Sequence, residues 1–225
     1  MNANLPTFSE LQFANPADFD AWYSTLDCKT YSLRKAETEL ACLARYLKSL
    51  RNHPGHPIYW PLTVLKRESP DFSIFQDGFP TIGLEHSTVT TTKYQAFRAE
   101  SLKGTEDRIV WLDSFKIGGP PTQWYNEGWV GSEAEQEWAQ LALQRILDKL
   151  VLLNSLRFTK FDRNELLLNT VSYLPNLDMT LAFKHLSKIL TASVQESNPL
   201  CSFDSITFIY GSDTYPHALV KHQST

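Results

Sequence analysis

Cysteine is scarce in this 225-residue chain, with three residues, Cys28, Cys42 and Cys201. They are odd in number, far apart and without Cys-x-x-Cys spacing, which excludes a disulfide framework and a zinc knuckle as readings. Thiols kept reduced follow, and with them a cytoplasmic location is expected. Long apolar runs are also missing. The longest clusters, Leu150–Leu153 and Leu166–Leu168, fall far short of the roughly 20 residues a membrane helix needs, so no membrane association is expected. Met1–Pro16 has neither a basic n-region nor an apolar h-region, and no secretory signal is expected there. Excess positive charge is absent. Lys plus Arg is 21 against 25 Asp plus Glu, a net charge of −4, which excludes gripping nucleic acid by charge alone and leaves a local basic face or a bound cation. With 9 Gly, 12 Pro, 42% hydrophobic and 20% charged residues, collagen, coiled coil and intrinsic disorder are excluded as well.

A chain of this length buries roughly 70% of its unfolded surface, so its core needs no staple. Its interleaved helical and extended patterns predict one α/β domain over residues 1–225, with helices around a mixed central sheet. Residues 1–31 read as an N-terminal extension with a short helix over Pro16–Leu26, whose Phe19, Trp22 and Tyr23 seal an edge of the core. Leu40, Leu43, Ala44, Leu47 and Leu50 recur at three and four residues, predicting a helix over Ser32–Asn52. The stretch His53-Pro54-Gly55-His56-Pro57 stops it, and Ile58–Leu65 reads as extended. Asp77-Gly78, set between the β-rich runs Pro70–Phe75 and Pro80–Thr88, is a hairpin signal. A helix is expected over Thr92–Lys103, a strand over Arg108–Ile117 and an aromatic loop over residues 118–131. Within 132–225, Ser132 and Glu135 form a capping-box pair that opens a helix to about Asn154. A second hairpin follows, Phe158–Phe161 and Glu165–Val171, then a helix over Asp178–Val194 and a strand over Ser205–Tyr210.

The first hairpin concentrates the reactive side chains. Alternation places Gly83, Glu85 and Ser87 on one face of its second strand, Leu84 and His86 on the other, and gives Asp71, Ser73 and Phe75 a common face on the first. Pairing about Asp77-Gly78 then brings Asp71 and Glu85 together at the open end. Two close carboxylates repel, and one takes up a proton unless a cation lies between them. Mg²⁺ is the natural occupant, because it prefers oxygen and often uses one or two carboxylates with water. Glu37 and Glu39 both flank the apolar stripe of the preceding helix, so either can present a third acid, and periodicity does not separate them.

Pro70-Asp71, then Glu85-His86-Ser87 on the next strand, after a helix bearing Glu37, resemble the PD-(D/E)XK nuclease superfamily. The order helix, hairpin, helix, strand over residues 32–117 is similar to that family's core. Ile82–Thr88 looks like a branch in which the motif lysine is replaced, and the 162–168 stretch is similar to a trailing strand of many members. The resemblance implies a restriction-endonuclease-like α/β fold and Mg²⁺-dependent hydrolysis of phosphodiester bonds in nucleic acid. It implies Asp71 and Glu85 as metal ligands, His86 as a ligand through its backbone carbonyl, and Glu37 orienting the cation's waters. Ser87 stands where the family has lysine, and a hydroxyl brings no positive charge to a developing phosphoryl oxyanion. Lys93 and Lys66 are the candidates to replace it. Without a replacement, the chain is a catalytically inactive binding or assembly protein on the same fold.

Other features point less far. His53 and His56 lie in a stiff proline turn with no acidic or cysteine partner nearby, which reads as a loop. Trp124, Tyr125 and Trp129 of the 118–131 loop suit base stacking, and equally a plug over the core or a homodimer contact. Gly118-Gly119-Pro120-Pro121 lacks the spacing and the lysine of a phosphate loop. No Gly-x-Ser-x-Gly elbow occurs, and no cysteine adjoins a base, so covalent nucleophilic hydrolysis has no support.

Overall fold

Alternation of side chains between two faces builds the sheet on which the reactive residues sit. The computed structural model describes residues 8–26, 35–51, 58–90, 131–170, 177–197, 202–210 and 213–217. The described strands are β1 (Glu10–Phe13), β2 (Leu62–Lys66), β3 (Phe72–Gln76), β4 (Ile82–Val89), β5 (Arg163–Thr170), β6 (Ser205–Tyr210) and β7 (Asp213–His217). The described helices are α1 (Pro16–Ser24), α2 (Lys35–Arg51), α3 (Glu133–Leu153) and α4 (Met179–Ser197). The strands form one seven-stranded sheet in chain order, and the architecture is mixed α/β. Pairs β1/β2, β2/β3, β3/β4 and β6/β7 are antiparallel. No described helix is long and apolar enough to cross a membrane.

The chain divides into two compact units. The first comprises Met1–Ser87, Asp148–Asn169 and Pro199–Thr225, and the second Thr88–Leu147 and Thr170–Asn198. In the first unit, Phe13, Leu62, Val64, Phe72, Ile74, Ile82 and Leu84 fall on one sheet face by alternation and by register. They join Leu40, Leu43, Tyr46, Leu47 and Leu50 of α2 in one buried cluster. The three-and-four spacing read from α2 is therefore its core stripe, as expected, and Cys42 is buried within it. α1 begins at Asn15, whose side-chain oxygen accepts from the amides of Ala17 (2.9 Å) and Asp18 (3.2 Å), satisfying donors that have no partner within the helix. Phe19 of α1 is buried and packs edge-on to Phe13 at 5.6 Å, and Trp22 lies 5.1 Å from the same ring. This aromatic edge matches the reading of Phe19 and Trp22.

In the second unit, Trp138 of α3 is buried edge-on to Phe183 of α4 at 5.4 Å, and its indole N–H donates to Thr170 Oγ1 at 3.0 Å. The Asp178 side chain accepts from the amides of Thr180 (2.9 Å) and Leu181 (3.2 Å) and so caps α4.

Several local expectations need correction. The capping box at α3 is built differently: Gln136 Nε2 donates to Ser132 Oγ at 2.8 Å, while Glu135 Oε1 accepts from the Asp178 amide at 3.1 Å. The second hairpin does not form, because Phe158–Phe161 is not a strand. Asn164 Oδ1 accepts from the Phe161 amide (3.1 Å) and its Nδ2 donates to the Phe161 carbonyl (3.0 Å), folding that stretch into a turn. Phe161 then lies over Gly83, where any β-carbon would come within 2.6 Å of its ring. β1 and β7 are additions, and β2 starts at Leu62 rather than Ile58. The helix expected over Thr92–Lys103, the strand over Arg108–Ile117, the 118–130 part of the aromatic loop, the His53–Pro57 turn, Cys28, Cys201 and Lys93 lie outside the described residues.

Candidate active site at the open end of the first hairpin

The hairpin register decides where the acids meet. Phe72 faces Leu84, Ser73 faces Gly83 and Ile74 faces Ile82 across β3 and β4. One step further out, the same register sets Asp71 opposite Glu85. Gly78 occupies the turn with φ 73°, a conformation glycine adopts without side-chain strain. Asp71 Oδ2 accepts the backbone N–H of His86 at 2.8 Å, a bond that ties the start of β3 to the acidic strand.

The third acid comes from α2, and it is Glu39. Lys66 Nζ, at the end of β2, donates to Glu39 Oε2 at 2.7 Å and lies 3.7 Å from Asp71 Oδ1. Glu39 is 4% exposed, and Lys35 one turn earlier approaches its Oε1 at 3.4 Å. Glu37, the residue the resemblance carried, is half-buried on α2. Two residues along a helix turn the side chain by roughly 200°, so Glu37 and Glu39 cannot both face Lys66. From α3, Lys149 Nζ donates to Glu85 Oε1. Glu85 itself is 2% exposed.

The proximity of these groups bears on their protonation. Burial pushes the Glu85 carboxyl above the ordinary carboxylate range, the charge of Asp71 pushes it further, and Lys149 opposes both. Burial also raises Glu39, but the bond and charge of Lys66, with the charge of Lys35, bring it out below that range. His86 is 7% exposed. Its burial depresses the imidazole to about 4, against the pull of Asp71 and Glu39, so the ring is neutral at pH 7. Three buried atoms here, Glu39 Oε1, Glu85 Oε2 and His86 Nε2, have no hydrogen-bond partner, although such groups are ordinarily paired in folded proteins.

Hard carboxylate oxygens, with Glu85 Oε2 lacking a hydrogen bond and Glu39 Oε1 met only by Lys35 at 3.4 Å, are the donor chemistry that suits Mg²⁺. As the side chains stand, no group of three or more His, Cys, Asp or Glu among the described residues is gathered closely enough to hold a metal ion. Lys66 and Lys149 occupy the other oxygens. The structure thus brings together Asp71, Glu85, His86 and Lys66 of the residues singled out from sequence, takes Glu39 of the two helical candidates, and leaves Lys93 undescribed. Sequence reasoning missed Lys149. It lies 64 residues after Glu85 on a separate helix, and no spacing signal connects them.

Comparison with family models, with curated proteins and with solved structures finds no match for this chain.

Proposed function

We propose that this chain is a metal-dependent nuclease-like protein that hydrolyses phosphodiester bonds in nucleic acid, on a restriction-endonuclease-like version of its mixed α/β fold. One observation carries the reading: Asp71 and Glu85 lie opposite each other on adjacent strands, near enough for the charge of one to raise the carboxyl of the other. A divalent cation held between them would lower the pKa of an attacking water and neutralise charge on the phosphate. Asp71 and Glu85 would hold it, with the His86 amide fixing the rotamer of Asp71 and Glu39 holding Lys66 beside Asp71. The test is cleavage of plasmid and single-stranded substrates with Mg²⁺ or Mn²⁺. Asp71→Ala and Glu85→Ala should each reduce cleavage by about a hundredfold or more, the scale on which removing one electrostatic stabiliser acts. Cleavage that survives both substitutions removes these residues from the mechanism.

A second reading has its own observation. Glu39, Asp71 and Glu85 each lie within 4 Å of a lysine ammonium, so the cluster is charge-balanced without any added ion. A non-catalytic binding or assembly protein would need no more than this. That reading predicts no heat of Mg²⁺ or Mn²⁺ binding by calorimetry and no loss of function in Glu85→Gln.

A further inference from the structure

Strand β4 carries serine at position 87, on the same face as Glu85. A hydroxyl there cannot place positive charge beside the acid, yet an ammonium is present at Glu85 all the same. We infer that Lys149, delivered by α3, is the catalytic lysine of this site, an inference that rests on the nuclease reading. Its ammonium donates to a non-bridging oxygen of the scissile phosphate and stabilises the charge that develops there, with no proton transferred.

Lys66 and Lys149 reach the cluster from different elements and pair with different acids. Lys66 pairs with Phe72 across β2 and β3, and Phe72 pairs with Leu84 across β3 and β4, so Lys66 shares the face of Phe72 and Leu84. Its ammonium lies 4.3 Å from the centre of the Phe72 ring. Glu85 alternates to the opposite face, where Lys149 meets it. Lys66 is further committed to Glu39 and Asp71. Lys149 has the capacity that the role needs. An ammonium carries three donors, of which Glu85 Oε1 takes one, and the side chain is 23% exposed, so a phosphate arriving from solvent can reach it. Glu85 keeps its second oxygen, Oε2, without a hydrogen-bond partner, so the ion pair does not exhaust the carboxylate. Lys149 also projects from a helix of 21 residues rather than from a loop, which fixes the position of its charge.

Cleavage with Mg²⁺ or Mn²⁺ is compared for the wild type, Lys149→Met and the double variant Ser87→Lys/Lys149→Met, with thermal unfolding of each. The methionine keeps most of the aliphatic stem and removes the charge. Lys149→Met should lose about a hundredfold in rate, and the double variant, with an ammonium returned on the same face of β4, should recover most of it. A purely structural role for Lys149 would show in the unfolding temperature without that recovery. Wild-type rates in folded Lys149→Met overturn the inference and leave the nuclease reading standing, as does a folded double variant that recovers nothing. If Lys149→Met does not fold, the double variant decides: cleavage supports the inference and its absence overturns it. A wild type that cleaves with neither ion overturns the inference together with the reading beneath it.

Discussion

Glu165 on β5 and Glu85 on β4 are both almost fully buried in the first unit, yet their carboxylates end differently. Glu165 Oε2 accepts from Tyr46 Oη and from Ser205 Oγ, each at 2.6 Å, and Oε1 accepts from Arg163. Both oxygens are used, and the partners come from α2, β5 and β6. Glu85 has Lys149 on one oxygen and no hydrogen bond on the other, His86 has a buried nitrogen in the same condition, and Glu39 Oε1 meets only the ammonium of Lys35, at 3.4 Å without a hydrogen bond. A completed network of this kind rigidifies the region around it, whereas an incomplete one costs stability wherever it serves structure alone. The contrast separates a glutamate that holds the fold together from one that leaves lone pairs available, even though both are almost fully buried.

The strongest way to break the comparison is Glu165→Gln. It removes the carboxylate that Arg163 and Tyr46 both meet, and it should cost about 3 kcal/mol in denaturant unfolding, the low end for splitting a buried pair because Arg163 is 28% exposed. Cleavage by the folded fraction should be unchanged. Tyr46→Phe comes next, at about 2 kcal/mol, since it removes one hydrogen bond to a charged group. The same residue gives a pH signature. Burial, with the charge of Glu165, holds the Tyr46 phenol well above its ordinary value. The folded state therefore keeps the proton that the unfolded chain gives up near pH 10, so stability is intact below that pH and falls as pH rises beyond it. Tyr46→Phe should flatten that alkaline decline in unfolding curves. The smallest effect is expected for Glu39→Gln, about 1 kcal/mol, because Lys66 is 30% exposed and keeps Asp71 as a partner. A Glu39→Gln loss as large as that of Glu165→Gln would erase the distinction between the two clusters.

Much of this site can be read in one dimension. Asp-Gly between two β-rich runs sets the hairpin, and period-two alternation then sets Asp71 against Glu85, as the register has it. Leucine spacing gives α2, but an acid on either side of a stripe has two ways to face, so choosing Glu39 over Glu37 needed the position of Lys66. Lys149 was not legible because nothing local to α3 records which strand it packs against. The false second hairpin came from aromatic and β-branched residues at 158–161, and the turn-forming side chain of Asn164 outweighs that propensity. β1 and β7 were missed for opposite reasons. β1 has only four residues, and β7 contains Pro216, which argues against a strand in the centre of a sheet but is tolerated at its edge.

The bond from the His86 amide to Asp71 has a consequence for how this segment can vary. The donor is main chain, so the aspartate stays anchored whichever side chain follows Glu85, and proline alone among the twenty amino acids would release it. The choice of histidine at that position must then be explained by its imidazole, a ring sealed from solvent and left with a nitrogen that nothing answers.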